Sequence, residues 1–205
     1  MGKEENKEME FWTQEEFQAF LECVADKPIS DYAFEMLYWT GIREGELLAL
    51  TPSDFNFEKK TLRINKSYQR LEGEDVITDP KTPKSNRTIV MPDFLAVEME
   101  DFINSLYGIR DDDRIFTISK SYLHHEMDRG AKLAGVKRIR IHGLRHSHIS
   151  LLINLGFSAL AIGERVGHEA VDITYHYAHL FPTVQTDMAA QLETEREALV
   201  NVRKE

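Results

Sequence analysis

Cysteine is nearly absent from this 205-residue sequence, which contains only Cys23. One cysteine excludes an internal disulfide and is typical of a reducing compartment, so we expect Cys23 to be a small core residue of an amphipathic helix. Long apolar runs are also missing: none approaches the roughly 20 residues of a membrane helix, and the polar start MGKEENKEME lacks the apolar segment of a signal peptide. We therefore expect a cytoplasmic protein with no membrane partner.

Basic residues are outnumbered, and the net charge of −10 argues against a nucleic-acid partner. The excess acid is concentrated at the ends, with eight acidic and three basic residues in 1–30 and five and three in 184–205. Residues 129–168, by contrast, contain seven lysines or arginines and one acid, Glu164. Such a local basic surface can hold a polyanion with modest, salt-sensitive affinity, although charge alone equally describes an ordinary solvated helix face.

Local patterns predict a mainly α protein with one small three-stranded antiparallel sheet. Thr13 and Glu16 form a capping box that opens a helix, a second helix runs from Ser30 or Asp31 to Gly41, and REGELLAL is a short third. The runs TLRINKSY, EDVIT and NRTIVMP are β-branched or alternating and separated by turns, which predicts three strands. Further helices are expected near 93–106, 119–134, 142–155, 158–166, 172–180 and 186–200.

Two arginines in distant segments stand at predicted helix starts. In HGLRH, His142 and Arg145 share one helix face, and a helix start with free N–H groups favours anions. Arg43 follows a glycine turn in TGIREGEL, with Glu46 three residues on to orient it, although a surface ion pair there contributes little. Two such guanidinium groups suit a phosphodiester, because each binds two oxygens and offsets charge developing at phosphorus.

A lysine-bearing turn and a pair of tyrosines complete the candidates. Lys81 and Lys84 lie in DPKTPKS before Arg87, and a lysine at a hairpin tip can protonate a leaving oxygen, although a solvated turn is the commoner role. Tyr175 and Tyr177 in GHEAVDITYHYAHLF project about 200° apart on a helix, at about 100° per residue, so only one can enter a given pocket. Their helical spacing leaves open which one acts.

Histidine clustering raises the alternative of a metal site. Six of the eight histidines lie between 142 and 179, but no HExxH motif and no cysteine pair accompanies them. The run of aspartates at 111–113 is typical of a solvated loop. A metal-dependent hydrolase is accordingly the weakest hypothesis, and we expect neither a metal nor a cofactor.

Taken in order, TGIREGEL, KT, HGLRH, GH and a tyrosine nine residues later resemble the tyrosine recombinases, the integrases of phages and conjugative transposons. The resemblance spans about 11–183, that family's C-terminal catalytic domain, and departs from it mildly at Val166, where leucine is commoner. Outside this span we expect residues 1–10 to be disordered and residues 184–205 to form a helical tail. The catalytic residues that it implies are Arg43, Lys81, His142, Arg145, His168 and Tyr177, with Glu46 supporting; the DNA contacts are Lys84, Arg87, Lys137, Arg138 and Arg140.

The resemblance also implies a mechanism. Tyr177 attacks a phosphodiester of an attachment site in double-stranded DNA, giving a 3′-phosphotyrosine and a free 5′-hydroxyl without a metal or cofactor. Tyr175 and the remaining histidines of the region, His146, His148, His176 and His179, are then packing or supporting residues. The tail is expected to dock on another protomer. The family's N-terminal DNA-binding modules have no counterpart in this sequence, so the resemblance implies a catalytic fragment. We expect it to act at the nucleoid of a bacterium. A type IB topoisomerase and a non-catalytic DNA-binding regulator of the same fold are the competing interpretations.

Overall fold

Local capping sets the first helices. The computed structural model describes residues 10–79, 85–168 and 170–177, with isolated positions 189, 192–194 and 196. Helix α1 (Gln14–Glu22) begins at the predicted capping box, in which Thr13 Oγ1 accepts from the Glu16 N–H at 3.2 Å. Helix α2 (Pro28–Thr40) starts two residues before the predicted Ser30, because proline is favoured at the first helical position. It ends as predicted at Gly41, and α3 (Glu44–Leu47) follows.

The strand pairing differs from the prediction. Strand β2 (Thr61–Ile64) lies between β1 (Phe55–Asn56) and β5 (Arg87–Val90) in an antiparallel three-stranded sheet, whereas β3 (Ser67–Leu71) and β4 (Glu74–Thr78) form a separate hairpin. TLRINKSY is therefore two strands and not one. The break falls where Lys66 Nζ donates to the buried Asp54 carboxylate at 2.6 Å.

Helices form the rest of the described chain. They are α4 (Asp93–Ser105), α5 (Lys120–Ala134), α6 (Ile141–Asn154), α7 (Ala159–Val166) and α8 (Ala170–Tyr177). The first four agree with the predicted bounds within one residue. The continuation expected to 180 and most of the helix expected at 186–200 lie outside the described residues. No helix in the described ranges has the length and apolar character needed to cross a membrane.

Two apolar clusters meet at α6. The larger one extends along the chain from Trp12 to Leu144, and the smaller contains Ile149, Ile153, Ile162, Val166, Ile173 and Tyr177. The N-terminal segment is tied to α6 because the Trp12 N–H donates to Ser147 Oγ at 2.8 Å. Cys23 is only half-buried at the end of α1, so its prediction as a core residue is wrong. The position of α6 between the clusters brings its polar N-terminal half next to α2, α7 and α8.

Candidate active site

Glu46 is the buried carboxylate around which the site is organised. It is the third residue of α3, and its Oε2 accepts the N–H of Arg43 at 2.8 Å, which satisfies a donor that the start of a helix leaves free. Arg43 Nη1 donates to Oε1 of the same carboxylate at 2.8 Å. The Arg43 side chain keeps 35% of its surface exposed, so its guanidinium is oriented by Glu46 and still reachable from solvent.

Arg87 holds the other side of this carboxylate. Its Nη1 and Nη2 donate to the two Glu46 oxygens at 3.1 and 3.0 Å, and its Nε donates to the carbonyl of Arg165 at 2.9 Å. Burial alone would raise the pKa of Glu46, but the hydrogen bonds from Arg87 and Arg43 outweigh it and the pKa is lowered. The sequence prediction assigned Arg87 to a DNA contact; the structure corrects this, since Arg87 is buried and binds Glu46.

Arg145 lies beneath the same surface on α6. It is 1% exposed, and its two terminal nitrogens donate to the carbonyls of Gly41 and Val166, the residues at the ends of α2 and α7. Its Nε is buried with no hydrogen-bond partner among the described residues. Burial and the nearby Arg43 cation lower the pKa of Arg145 to about 9, which still leaves it charged at neutral pH. An unpaired, buried N–H on a cation is a strong donor toward an anion.

Two histidines flank the arginines. His142 lies on the first turn of α6 and is exposed. Burial of part of its side chain, followed by the cations of Arg145 and Arg43, lowers its pKa. His168 follows the left-handed Gly167 that ends α7, and its N–H donates to the Gly163 carbonyl at 2.9 Å. Burial and then Arg145 lower the pKa of His168 to about 3. Both rings are therefore neutral near pH 7 and each can donate one N–H.

Tyr177 reaches the cluster from α8. Its ring is 2% exposed in the smaller apolar cluster, and its hydroxyl forms a short hydrogen bond with His146 Nδ1. Burial raises the pKa of the Tyr177 phenol, and the Arg145 cation partly opposes that shift. Nothing is described for the side chain of Tyr175. The structure thus brings together Arg43, Glu46, His142, Arg145, His168 and Tyr177.

The sequence alone predicts only a supporting role for His146. Its position, directly after Arg145 and one turn after His142, is the signal that was available. The His142 and His146 rings meet edge to face with centroids 4.8 Å apart, and the Tyr177 ring centroid is 5.8 Å from that of His146. Burial, followed by His142, lowers the pKa of His146 to about 4. A neutral imidazole therefore contacts the tyrosine hydroxyl.

Other predicted residues lie away from this centre or beyond what is described. Lys81, Lys84 and His179 fall outside the described residues. Lys137, Arg138 and Arg140 are exposed on the segment leading into α6, where Arg138 Nε also donates to Asp128 at 2.7 Å. His148 is buried and its Nε2 accepts from Arg165 Nε at 3.0 Å, and His176 is exposed. In the part of the chain described, no three His, Cys, Asp or Glu side chains are grouped as metal ligands.

The charges leave the site cationic. Arg43 and Arg87 bind one carboxylate, Glu46, Arg145 adds a third cation nearby, and the pKa values of the neighbouring histidines are lowered. The net charge of such a partly buried cluster is stabilised by a bound anion. With a tyrosine hydroxyl at its edge, the cluster has the groups needed to bind a phosphate ester and attack it.

Comparison with known proteins gives one consistent result. The sequence profile of the phage integrase family matches residues 10–183. The chain is 33% identical over 203 residues to the ICEBs1 integrase of Bacillus subtilis (strain 168), covering 91% of this chain and 55% of that protein. It is 27% identical over 218 residues to a XerC-like tyrosine recombinase of Caldanaerobacter subterraneus subsp. tengcongensis, covering 90% and 54%. The chain therefore spans about half the length of the curated relatives it matches.

A solved structure shares the fold. The Tn1549 transposon integrase, in complex with a circular intermediate DNA, superposes with a TM-score of 0.76 at 21% identity, over 95% of this chain and 68% of that one. At this identity the likeness shows the fold alone, a mostly helical recombinase catalytic domain with a small antiparallel sheet, as predicted from the sequence.

Proposed function

Because the chain belongs to the phage integrase family, we propose that it is the catalytic part of a site-specific DNA recombinase. It cuts and rejoins DNA strands through a 3′-phosphotyrosine on Tyr177. The observation that carries the proposal is the Tyr177 hydroxyl at the edge of the cationic cluster around Arg145, whose buried Nε has no partner among the described residues.

Each group has a role that its surroundings support. Arg43 and Arg145 hold the non-bridging oxygens of the phosphodiester, and Glu46 and Arg87 keep Arg43 in place. His142 and His168 donate hydrogen bonds to the charge that builds on those oxygens. Lys81 gives a proton to the departing 5′-oxygen, a role that rests on the family resemblance because Lys81 is outside the described residues. The chemistry requires no metal ion and no cofactor.

The partners follow from this chemistry. The substrate is double-stranded DNA at attachment sites, contacted by the exposed Lys137, Arg138 and Arg140 and by Lys84. Residues 11–183 form the catalytic unit, and 184–205 form a tail that binds another protomer in the synaptic assembly. The protein acts at the nucleoid, in the bacterial cytoplasm. Support comes from the exposed basic side chains and from the DNA complex of the Tn1549 transposon integrase.

A nicked suicide DNA tests the proposal. The DNA carries the crossover sequence of the element, found by sequencing its junctions with the host chromosome, and its nick lets the short strand diffuse away after cleavage. We expect a covalent protein–DNA band on denaturing gels with wild type and with Tyr175→Phe, unaffected by EDTA. Tyr177→Phe should give no band while binding the DNA as wild type does.

The two tyrosine variants make the outcomes separable. A band lost only in Tyr175→Phe would assign the nucleophile to the other face of α8. A wild-type protein that binds this DNA and forms no band would favour the non-catalytic regulator. A band abolished by EDTA would contradict the metal-free chemistry.

A further inference from the structure

His146 contacts the atom that has to lose a proton. Resting on the proposed function, we propose that His146 is the general base of the reaction: its Nδ1 takes the phenolic proton of Tyr177 as the tyrosine attacks phosphorus. The hydrogen bond between Tyr177 Oη and His146 Nδ1 joins the nucleophile to this ring across 31 residues of sequence. The Tyr177 side chain is 2% exposed, so bulk water has little access to that proton.

The other polar groups nearby are a cation, a carboxylate already engaged by two arginines, and a histidine for which no hydrogen bond to the Tyr177 hydroxyl is found among the described residues. Arg145 remains a cation with no lone pair to offer. Both Glu46 oxygens accept hydrogen bonds from Arg87 and Arg43, and the lowered pKa of Glu46 makes it a weak base. The His142 ring centroid is 4.8 Å from that of His146, on the same helix. Among the described residues, His146 is the one for which a hydrogen bond to the Tyr177 hydroxyl is found.

The electrostatic surroundings suit a base that acts only when DNA is bound. The ionisable groups around the ring are His142 and Arg145 on its own helix and His176 and Tyr177 on α8. In the free protein burial and these neighbours keep the imidazole neutral, with its lone pair available. A phosphodiester at Arg43 and Arg145 brings a negative charge that offsets the cations and raises the basicity of His146. Binding of the DNA phosphodiester therefore makes His146 a stronger base.

The step balances without a further reactant. The Tyr177 O–H bond breaks and its proton moves to His146 Nδ1, while Tyr177 Oη forms a bond to phosphorus and the bond from phosphorus to the 5′-oxygen breaks. The departing oxygen takes a proton from the acid of the proposed function, Lys81. His146 is then an imidazolium ion beside the phosphotyrosine. It returns the proton to the phenolic oxygen when a 5′-hydroxyl rejoins the strand.

The tautomer of His146 provides a test that needs no DNA. A general base must present an unprotonated Nδ1, so ¹⁵N NMR of the histidine-labelled chain should show Nδ1 without hydrogen and Nε2 with it at pH 7. His146→Gln assigns the signals, and Tyr177→Phe should shift the Nδ1 resonance by removing its donor. A hydrogen on Nδ1 would overturn the proposal, because the ring would then donate to the hydroxyl.

The rate of covalent complex formation on the suicide DNA separates a base from a positioning residue. His146→Asn keeps a hydrogen-bond acceptor close to the position of Nδ1 but removes the basic nitrogen. We expect this variant to react roughly 100-fold more slowly, within the usual contribution of a general base. His125→Gln, at an exposed histidine of α5 that has no part in the cluster, serves as the matched control and should react at the wild-type rate.

A more acidic nucleophile should recover the loss. Placing 3-fluorotyrosine at position 177 lowers the phenol pKa, so the His146→Asn variant should regain about ten-fold in rate while the wild-type background gains little. An unimpaired His146→Asn variant, or a loss that fluorotyrosine leaves unchanged, would overturn the role of His146 and leave the proposed function intact. A wild-type protein that forms no adduct would refute both.

Discussion

The carboxylate of Glu46 and the guanidinium of Arg87 form a two-pronged ion pair inside the protein, with hydrogen bonds of 3.0 and 3.1 Å and each side chain 6% exposed. Arg43 completes the arrangement from the solvent side at 2.8 Å. The buried Arg87 thus binds Glu46, and Glu46 in turn orients Arg43. Strand β5, which carries Arg87, supports the site by fixing the carboxylate that orients Arg43.

Replacing Arg87 tests this relationship through stability. Arg87→Ala leaves the Glu46 carboxylate buried with a single partner, and we expect the free energy of unfolding to fall by about 3 kcal/mol. Arg87→Lys should recover only part of this, because an ammonium group has no planar fork. Urea denaturation measures the change, with Arg110→Ala, in an exposed pair with Asp113, as the control expected to match wild type. An Arg87→Ala protein as stable as wild type would show that the pair is dispensable.

The carbonyl of Gly41 accepts a hydrogen bond from Arg145, so a substitution at Gly41 tests how tightly this part of the site is packed. Its φ of +65° is left-handed, and a Cβ there would lie 2.5 Å from His148 Cδ2. Gly135 also ends a helix at a φ of +69°, but a Cβ there meets nothing within 4 Å. Gly135→Ala should therefore cost only backbone strain, about 1 kcal/mol, and Gly41→Ala roughly 2 kcal/mol more from overpacking. Equal losses in urea denaturation would mean that the His148 ring moves aside freely.

Acid should destabilise the protein through its buried histidines. The pKa values of His146 and His148 are lowered to about 4 and about 3 from 6.5, so the unfolded chain binds more protons than the folded one below pH 6.5. Stability therefore rises with pH across this window and is lost as pH falls, by up to ~1.4 kcal/mol per pH unit for a fully buried histidine. Unfolding free energies at pH 7.5, 6 and 5 measure the slope.

Glu35 changes the stability of the fold with pH in the opposite direction to the histidines, and it supplies the control. Burial, followed by the charge of Glu98, raises its pKa to about 7, so protonated Glu35 stabilises the fold at acid pH and this contribution is lost as pH rises through 7. Glu35→Gln should remove the opposing term and make stability fall more steeply between pH 7 and 5. A slope unchanged by this variant would show that Glu35 titrates normally in the folded state.

Local signals were enough for the helices and for part of the site. The Thr13–Glu16 capping box and Gly41 are marked by residues a few positions apart, and the helices they bound lie where predicted. Arg43 and Glu46 lie three residues apart, so their pairing was also visible in the sequence. The family resemblance, and not periodicity, singled out Tyr177.

Non-local pairing accounts for what was missed. Arg87 and Glu46 are 41 residues apart, so nothing in NRTIVMP indicates that this arginine turns inward. The same limit applies to the strands, because the sequence of β2 does not specify β5 as its neighbour. The role of His146 depends on a tyrosine 31 residues away that packs between α6 and α7.

The basic segment before α6 gives a prediction on DNA binding. Arg140 is exposed at the start of α6, two residues from His142, and among the described residues no carboxylate lies within ion-pair distance of it. Arg138 is exposed as well, but its Nε donates to Asp128 at 2.7 Å. If both contact phosphates, Arg140→Ala should reduce the slope of log affinity against log salt by about one. Arg138→Ala should have a smaller effect, because binding DNA must first break its ion pair.

Asp128→Asn distinguishes these two arginines further. It frees Arg138 and removes one negative charge from the surface, so affinity for duplex DNA at low salt should rise, whereas the effect of Arg140→Ala should be unchanged in that background. Fluorescence anisotropy over a salt series measures both quantities. Each phosphate contact releases about one counterion, so losing a contact must lower the slope. Equal slopes for wild type and Arg140→Ala would therefore show that Arg140 does not contact the DNA backbone.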